Sequence, residues 1–310
     1  MLLKKVSRFI SFYGWKCFFR IALNVFLPNR ACLKVVVPKI NYSDYYYFKR
    51  LFASRVVFFP PEKKESTVVI NKKKVWTLWL QGEDYAPDIV KACWMSLRRH
   101  LPSDFELVVL DQQKIKEYVH LPDFIELKYS SGVIKMAHYS DLIRLKLLLD
   151  YGGCWVDSTV YCSNNMLFNF LQESKPPLFV YKNILRHDDA CALSNWFIYA
   201  EPDNPILKNV YIFLIEYWKQ HNKPRNYFLF HIIFKVVIEK LANEWGKVPT
   251  VSNVEPHILA TRLFDDFDEK YFNYIGNTSS FHKLSYKNNE SDIMKTGTYY
   301  KYIISRELGG

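Results

Sequence analysis

The run Ser140-Asp141-Leu142-Ile143-Arg144 leads into Asp150-Tyr151-Gly152-Gly153-Cys154-Trp155-Val156-Asp157-Ser158-Thr159, and reads as a helix, a glycine-permitted turn and a short strand closed by a carboxylate. Asp141 and Arg144 are three apart, so on a helix they share a face and can pair. Alone they would be a surface ion pair worth about 0.3 kcal/mol. The two glycines that follow permit positive φ and close backbone approach. Asp157, at the end of an apolar strand, is costly to bury unless it is paired or bound to a metal. An acid and a base one turn apart, two glycines and a strand-end aspartate together suit an anionic ligand and its metal.

Upstream, residues 75–80 (Val-Trp-Thr-Leu-Trp-Leu) form an apolar β-type run ending at Gln81-Gly82. Pro87-Asp88 opens a helix through Ile89, Val90, Cys93, Trp94 and Leu97, with Arg98, Arg99 and His100 in its last turn. Residues 105–111 form a second strand. Strand, helix and strand in so short a span make a βαβ unit, so the chain is expected to be an α/β protein with a mostly parallel central sheet flanked by helices. Residues 135–149 supply a further helix into Gly152-Gly153. Ligands on such sheets gather at the carboxyl ends of strands, which makes Trp76 or Trp79 a candidate for stacking on a base; the alternative places both in the core. Downstream, 176–181 and 194–200 read as strands, and Arg186-His187-Asp188-Asp189 as a loop of mixed charge whose acids face sugar hydroxyls or only water. Asn204-Pro205-Ile206 opens a long apolar helix, and 226–243 an aromatic one. Lys235, Glu239 and Lys240 mark that last helix as core rather than membrane.

The chain has 310 residues, 49% of them hydrophobic and 17% aromatic, which excludes a disordered polypeptide and allows a full α/β core. Its net charge of +11 is uneven. Residues 1–75 hold 16 Lys and Arg against 3 Asp and Glu, a net of +13, and the remainder 26 against 28, a net of −2. A basic arm on a near-neutral body points to an anionic membrane surface, at about 1 kcal/mol per nearby Lys or Arg, rather than to nucleic acid. Within residues 1–30, Lys16 and Arg20 interrupt what would be the apolar part of a signal peptide or a spanning helix. Arg8, Lys16, Arg20 and Asn24 instead form a polar stripe suited to an interfacial helix. The six cysteines, at 17, 32, 93, 154, 162 and 191, contain no CxxC pair and argue against zinc or a disulfide scaffold.

Several phrases occurring in order carry a resemblance to a known family. Val75-Trp76-Thr77-Leu78-Trp79-Leu80-Gln81-Gly82, Ser140-Asp141-x-x-Arg144, Tyr151-Gly152-Gly153-Cys154-Trp155-Val156-Asp157-Ser158-Thr159, Asn195-Trp196-Phe197-Ile198 and His282-Lys283-Leu284 resemble bacterial capsular polysaccharide synthesis proteins. These are similar to the DXD-containing sugar transferases of the GT-A, nucleotide-diphospho-sugar type. The resemblance spans roughly residues 70 to 290, which divides the chain into an N-terminal extension, 1–70, and a GT-A-like domain, 71–310.

The resemblance implies a glycosyltransferase that moves a hexose, with retention, from a nucleotide-diphosphate sugar to a cell-surface glycan or lipid-linked glycan. It would work at the cytoplasmic face of the plasma membrane. Asp157, Asp141 and Arg144 would be catalytic. Trp76, Trp79, Gly152, Gly153, Thr159, Lys283 and Lys287 would bind the donor together with Asp141 and Arg144. Asp188, Asp189, Asn195 and Trp196 would face the acceptor, and a divalent metal, Mn²⁺ or Mg²⁺, would sit on Asp157 and His282. Thr159 stands where DXD would place a second acid, which thins that metal shell. The same departure supports one alternative, a catalytically degenerate glycan-binding or assembly protein, and a phosphosugar transferase using the same cradle is another.

Overall fold

Residue parity along the strands builds the molecule. The computed structural model describes residues 42–60, 72–184 and 190–309, and its main sheet holds strands β1 (Lys73–Leu78), β2 (Phe105–Leu110), β3 (Gly153–Val156), β5 (Leu178–Lys182) and β6 (Leu193–Ala200). Their order is β2-β1-β3-β6-β5. β1 runs parallel to β2 and β3, whereas β6 is antiparallel to both β3 and β5, so only β6 is reversed among the five. Successive side chains point to opposite faces. Trp76, Leu78, Trp155, Val180 and Ile198 accordingly enter one core, and Val75, Cys154, Val156, Phe179 and Phe197 the other.

Helices cover both faces. The first core is closed by residues 42–52, a helix labelled α1, and by α3 (Asp123–Ser130), α4 (Met136–Asp150), α6 (Pro205–Gln220) and α7 (Leu229–Lys240). The second is closed by α2 (Asp88–His100), α5 (Met166–Ser174), α8 (Glu269–Thr278) and α9 (Tyr299–Leu308). The helix expected from Asn204-Pro205 begins there for a clear reason. Asn204 Oδ1 accepts from the Ile206 and Leu207 amides at 3.1 and 3.2 Å, with Pro205 in the first turn. A second sheet escapes sequence analysis: β4 (Val160–Cys162) pairs antiparallel with β7 (Phe281–Lys283), with Val160 opposite Lys283 and Tyr161 opposite His282.

Three expectations change on this framework. Trp76 is fully buried and its Nε1 donates to the Gly152 carbonyl at 3.0 Å, so it belongs to the core and not to a base-stacking wall. Gly152 and Gly153 have φ of 66° and 90° and lie at the amino end of β3, the end away from Asp157. A Cβ on Gly153 would stand 2.2 Å from the Lys74 carbonyl oxygen. Gly153 thus serves the close approach of β3 to β1 rather than a ligand. Gly152, whose Cβ would stand 3.0 Å from the Ala200 carbonyl oxygen and 2.8 Å from Pro202, likewise serves the packing against the end of β6. The boundary expected at residue 70 does not detach what precedes it, because Phe48 and Phe52 of α1 are buried in the first core. The interfacial helix expected within residues 1–30 lies outside the described residues.

Candidate active site

β1 leads through α2 to β2 on one side, and the chain returns through α4 to place β3 on the other side of β1, so the carboxyl ends of β1 and β3 flank a topological switch point where ligands of open α/β sheets collect. A cleft of about 690 Å³ opens there. Of the residues expected in the site, Trp79, Asp141, Arg144, Asp157, Thr159, Asn195, Trp196, Lys283 and Lys287 line it. Trp76, Gly152, Gly153 and His282 do not, and Asp188 and Asp189 lie outside the described residues.

Asp157 is the hub. Its amide donates to the Trp196 carbonyl at 2.8 Å and its carbonyl accepts from Val160 N at 3.0 Å, which closes a tight turn between β3 and β4. Ser158 Oγ secures the turn to β1 by donating to the Leu78 carbonyl at 2.6 Å. The carboxylate is thereby held within the cleft wall, its side chain 26% exposed. Oδ1 accepts from Trp155 Nε1 at 2.9 Å and faces Arg144 Nη2 at 3.5 Å, while Oδ2 accepts from Lys283 Nζ at 3.0 Å. Burial pushes the Asp157 pKa up, but the two cations and the indole N–H outweigh it and hold the carboxyl below its usual range.

Arg144 approaches from α4 and is buried. Its Nη1 donates to the Asn195 carbonyl and pairs with Asp141 Oδ1, both at 3.0 Å; its Nη2 reaches Ser140 Oγ at 3.2 Å; and its guanidinium lies 5.0 Å from the Trp155 ring centre. Asn195 Nδ2 also donates to Asp141 Oδ1 at 3.0 Å. The pair that looked like a surface salt bridge is thus a buried network joining α4, β3 and β6. Burial drives the Asp141 pKa up to about 6 against the pull of Arg144.

His282 does not face this network. Adjacent strand residues point to opposite sides, and with Lys283 turned to Asp157 and Thr159, His282 is buried with Nε2 3.1 Å from Ser163 Oγ. Burial lowers its pKa to about 4. The expected metal set of Asp157 and His282 is therefore not assembled. Among the described residues no group of three His, Cys, Asp or Glu side chains stands ready for a metal, and both Asp157 oxygens already accept from nitrogen donors. Mg²⁺ commonly binds through one or two carboxylates, waters and substrate phosphates, but here it would have to displace Lys283 and compete with Arg144 and the Trp155 indole for Asp157, so this donor set does not favour one.

The cleft also contains residues that sequence analysis passed over. Tyr286 stands edge-on to Trp79 with ring centres 5.1 Å apart, and Lys287 beside it is exposed. Tyr227, in the turn that precedes α7, and His231, in the first turn of that helix, also line the cleft, together with His257. His257 Nδ1 lies 2.7 Å from the Asn253 carbonyl, an acceptor, so Nδ1 carries the hydrogen and the lone pair of the neutral ring is on Nε2. Nothing in the sequence singles out Tyr227, His231 or His257, because Tyr227 stands before the helix that carries His231 and His257 is remote from both. The site as a whole combines an aromatic patch, cations for an anion, and amide and hydroxyl groups suited to a polyhydroxylated ligand.

The chain is 25% identical over 148 residues to an O-glycosyltransferase, braB, of Annulohypoxylon truncatum, covering 44% of this chain and 35% of that protein. It is 28% identical over 96 residues to the O-glycosyltransferase PaGT of Phomopsis amygdali, covering 28% and 23%. It thus spans about a third or less of the length of these curated relatives. The solved structure of the PaToxG glycosyltransferase aligns over 86% of this chain and 96% of its own with 12% identity and a TM-score of 0.40. Residues 35–303, a match that begins well before residue 70 and takes in α1, fit the profile of the capsular polysaccharide synthesis proteins, and the chain belongs to that family.

Proposed function

We propose that this protein is a glycosyltransferase that moves a hexose from a nucleotide-diphosphate sugar to a hydroxyl of a cell-surface or lipid-linked glycan, and that its sheet is of the GT-A type. The observation that carries the reading is Asp157, presented at the carboxyl end of β3 between Arg144 and Lys283 in the cleft at the β1–β3 switch point. A strand-end carboxylate can hold sugar hydroxyls or the developing positive charge at the anomeric carbon, while the flanking cations receive a diphosphate. Trp79 and Tyr286 offer aromatic surface for a base, and Asn195 and Trp196 form the side from which an acceptor would approach.

In the retaining course we favour, the bond from the anomeric carbon to the diphosphate oxygen breaks and a bond to the acceptor oxygen forms on the same face. The acceptor proton passes to the departing phosphate. The protein then supplies position and charge rather than a dedicated base. Screening the purified protein against a panel of nucleotide sugars, with product mass separating hexose from hexose-phosphate transfer, tests the reaction class. Asp157→Ala is expected to reduce transfer by about a hundredfold or more, with a folded circular dichroism spectrum. Near-normal turnover by that variant would sink the assignment.

A further inference from the structure

We propose that the Lys283 ammonium takes the place of a divalent cation at this site, so that the protein receives and stabilises its diphosphate without metal. The inference rests on the transferase reading and assigns the charge that the departing diphosphate meets. Lys283 Nζ lies 3.0 Å from Asp157 Oδ2 and 2.7 Å from Thr159 Oγ1. It therefore bridges the strand-end acid and the hydroxyl at the position where a second metal-binding acid would stand. An ammonium has three hydrogens. Two serve Asp157 and Thr159, and the third is left for a phosphate oxygen.

This lysine is built into its place. β7 holds Lys283 opposite Val160, and the Leu284 amide donates to the Thr159 carbonyl at 2.8 Å, so the residues on either side of the ammonium are hydrogen-bonded to the same short segment. The side chain is only 23% exposed, and its conformational freedom is largely lost before any ligand arrives. A metal would meet the opposite situation. Asp157 Oδ1 already serves Trp155 Nε1, Arg144 stands 3.5 Å from it, and Oδ2 serves Lys283. Counting the cleft's formal charges, Arg144, Lys283 and Lys287 face Asp141 and Asp157, an excess of cations that repels Mg²⁺ or Mn²⁺ and attracts a diphosphate. Lys287, exposed and four residues on, can follow the outer phosphate as a point charge.

The test uses the whole 310-residue chain, pyrophosphate as the probe and Mn²⁺ followed by electron paramagnetic resonance. Pyrophosphate is expected to bind equally well in EDTA and in Mn²⁺. Lys283→Met should weaken it by about tenfold or more, and Lys283→Arg by about threefold or less, because the arginine keeps the charge. Wild-type protein should show no Mn²⁺ site that Asp157→Asn removes, at free metal up to about 1 mM. Pyrophosphate binding that requires Mn²⁺, that is absent in both conditions, or that is indifferent to Lys283→Met overturns the proposal, as does an Asp157-dependent Mn²⁺ signal. If Lys283→Met does not fold, the comparison of EDTA with Mn²⁺ on the wild type decides alone. Sugar transfer that occurs only with Mn²⁺ would keep the transferase reading and remove this one. Metal-free pyrophosphate binding through Lys283, with no transfer from any nucleotide sugar, would do the reverse.

Discussion

Asp141 and Asp157 share one guanidinium yet are driven in opposite directions, and the difference is experimentally accessible. Asp141 is raised to about 6 by burial, so its protonated form is favoured in the fold. Its contribution to stability is complete below the unfolded carboxylate value and is lost as pH rises through about 6. Asp157 is lowered, so its contribution is present above the unfolded value and is lost as pH falls through the depressed one. For function the ionised form of Asp141 matters, because its full negative charge strengthens the bonds that Oδ1 accepts from Arg144 and Asn195 and so holds the guanidinium beside Asp157. The kcat/KM profile is therefore expected to fall on the acid side with a limb near pH 6, and Asp141→Asn should remove that limb while lowering the plateau. A profile flat from pH 5 to 8 in the wild type would show that Asp141 does not act in this way.

At the scale of elements, the site exists because β3 lies against β1, and Gly153 makes that approach possible. With φ of 90° and a virtual Cβ 2.2 Å from the Lys74 carbonyl oxygen, Gly153→Ala must separate the strands or twist the backbone. A loss of about 3 kcal/mol is expected from thermal or urea unfolding. Gly82, with φ of 88° and ψ of 163° but open space around it, isolates the backbone term, and Gly82→Ala should cost about 1 to 2 kcal/mol, less than Gly153→Ala. Equal losses at the two sites would refute the packing argument. The elements that build this contact were legible in the sequence because each carries a local signal. β1, β2 and β3 are apolar runs of β-type residues, and α2 and α6 announce their first turns through Pro87-Asp88 and Asn204-Pro205. β4 and β7 carry no such signal, being three residues each and pairing across more than a hundred positions. Without that pairing, the parity that sends Lys283 to the cleft and His282 away from it could not be read. Trp76 and Trp79 differ for a related reason, since one lies inside β1 and the other just beyond its end.

For the whole molecule, the N-terminal region is expected to divide into two parts with separable roles. Residues 42–52 clasp α6 and α7 from outside: Phe52 stacks on Phe213 with ring centres 4.5 Å apart, Phe48 meets Tyr217 at 5.7 Å, and Asp44 accepts from Arg225 Nε at 2.7 Å and Asn226 Nδ2 at 2.8 Å. α7 also carries Tyr227's neighbour in the cleft, His231, so the clasp supports one wall of the site. Removing residues 1–52 would delete the two buried phenylalanines, whose burial contributes about 2 kcal/mol each, and leave Phe213 and Tyr217 uncovered. A fall in Tm of about 10 °C or more is expected. Removing only residues 1–30 takes away Lys4, Lys5, Arg8, Lys16, Arg20 and Arg30 without touching the clasp. At about 1 kcal/mol per basic residue near an anionic surface, that loss should release the protein from phosphatidylserine vesicles while the melting transition stays in place. Among the described residues no helix is long and apolar enough to cross a membrane, and the basic excess of residues 1–75 makes the first segment the expected contact. Vesicle binding that survives the shorter deletion would move the membrane contact onto the folded body, whereas a melting transition unaffected by the longer one would mean that α1 packs on the core without stabilising it.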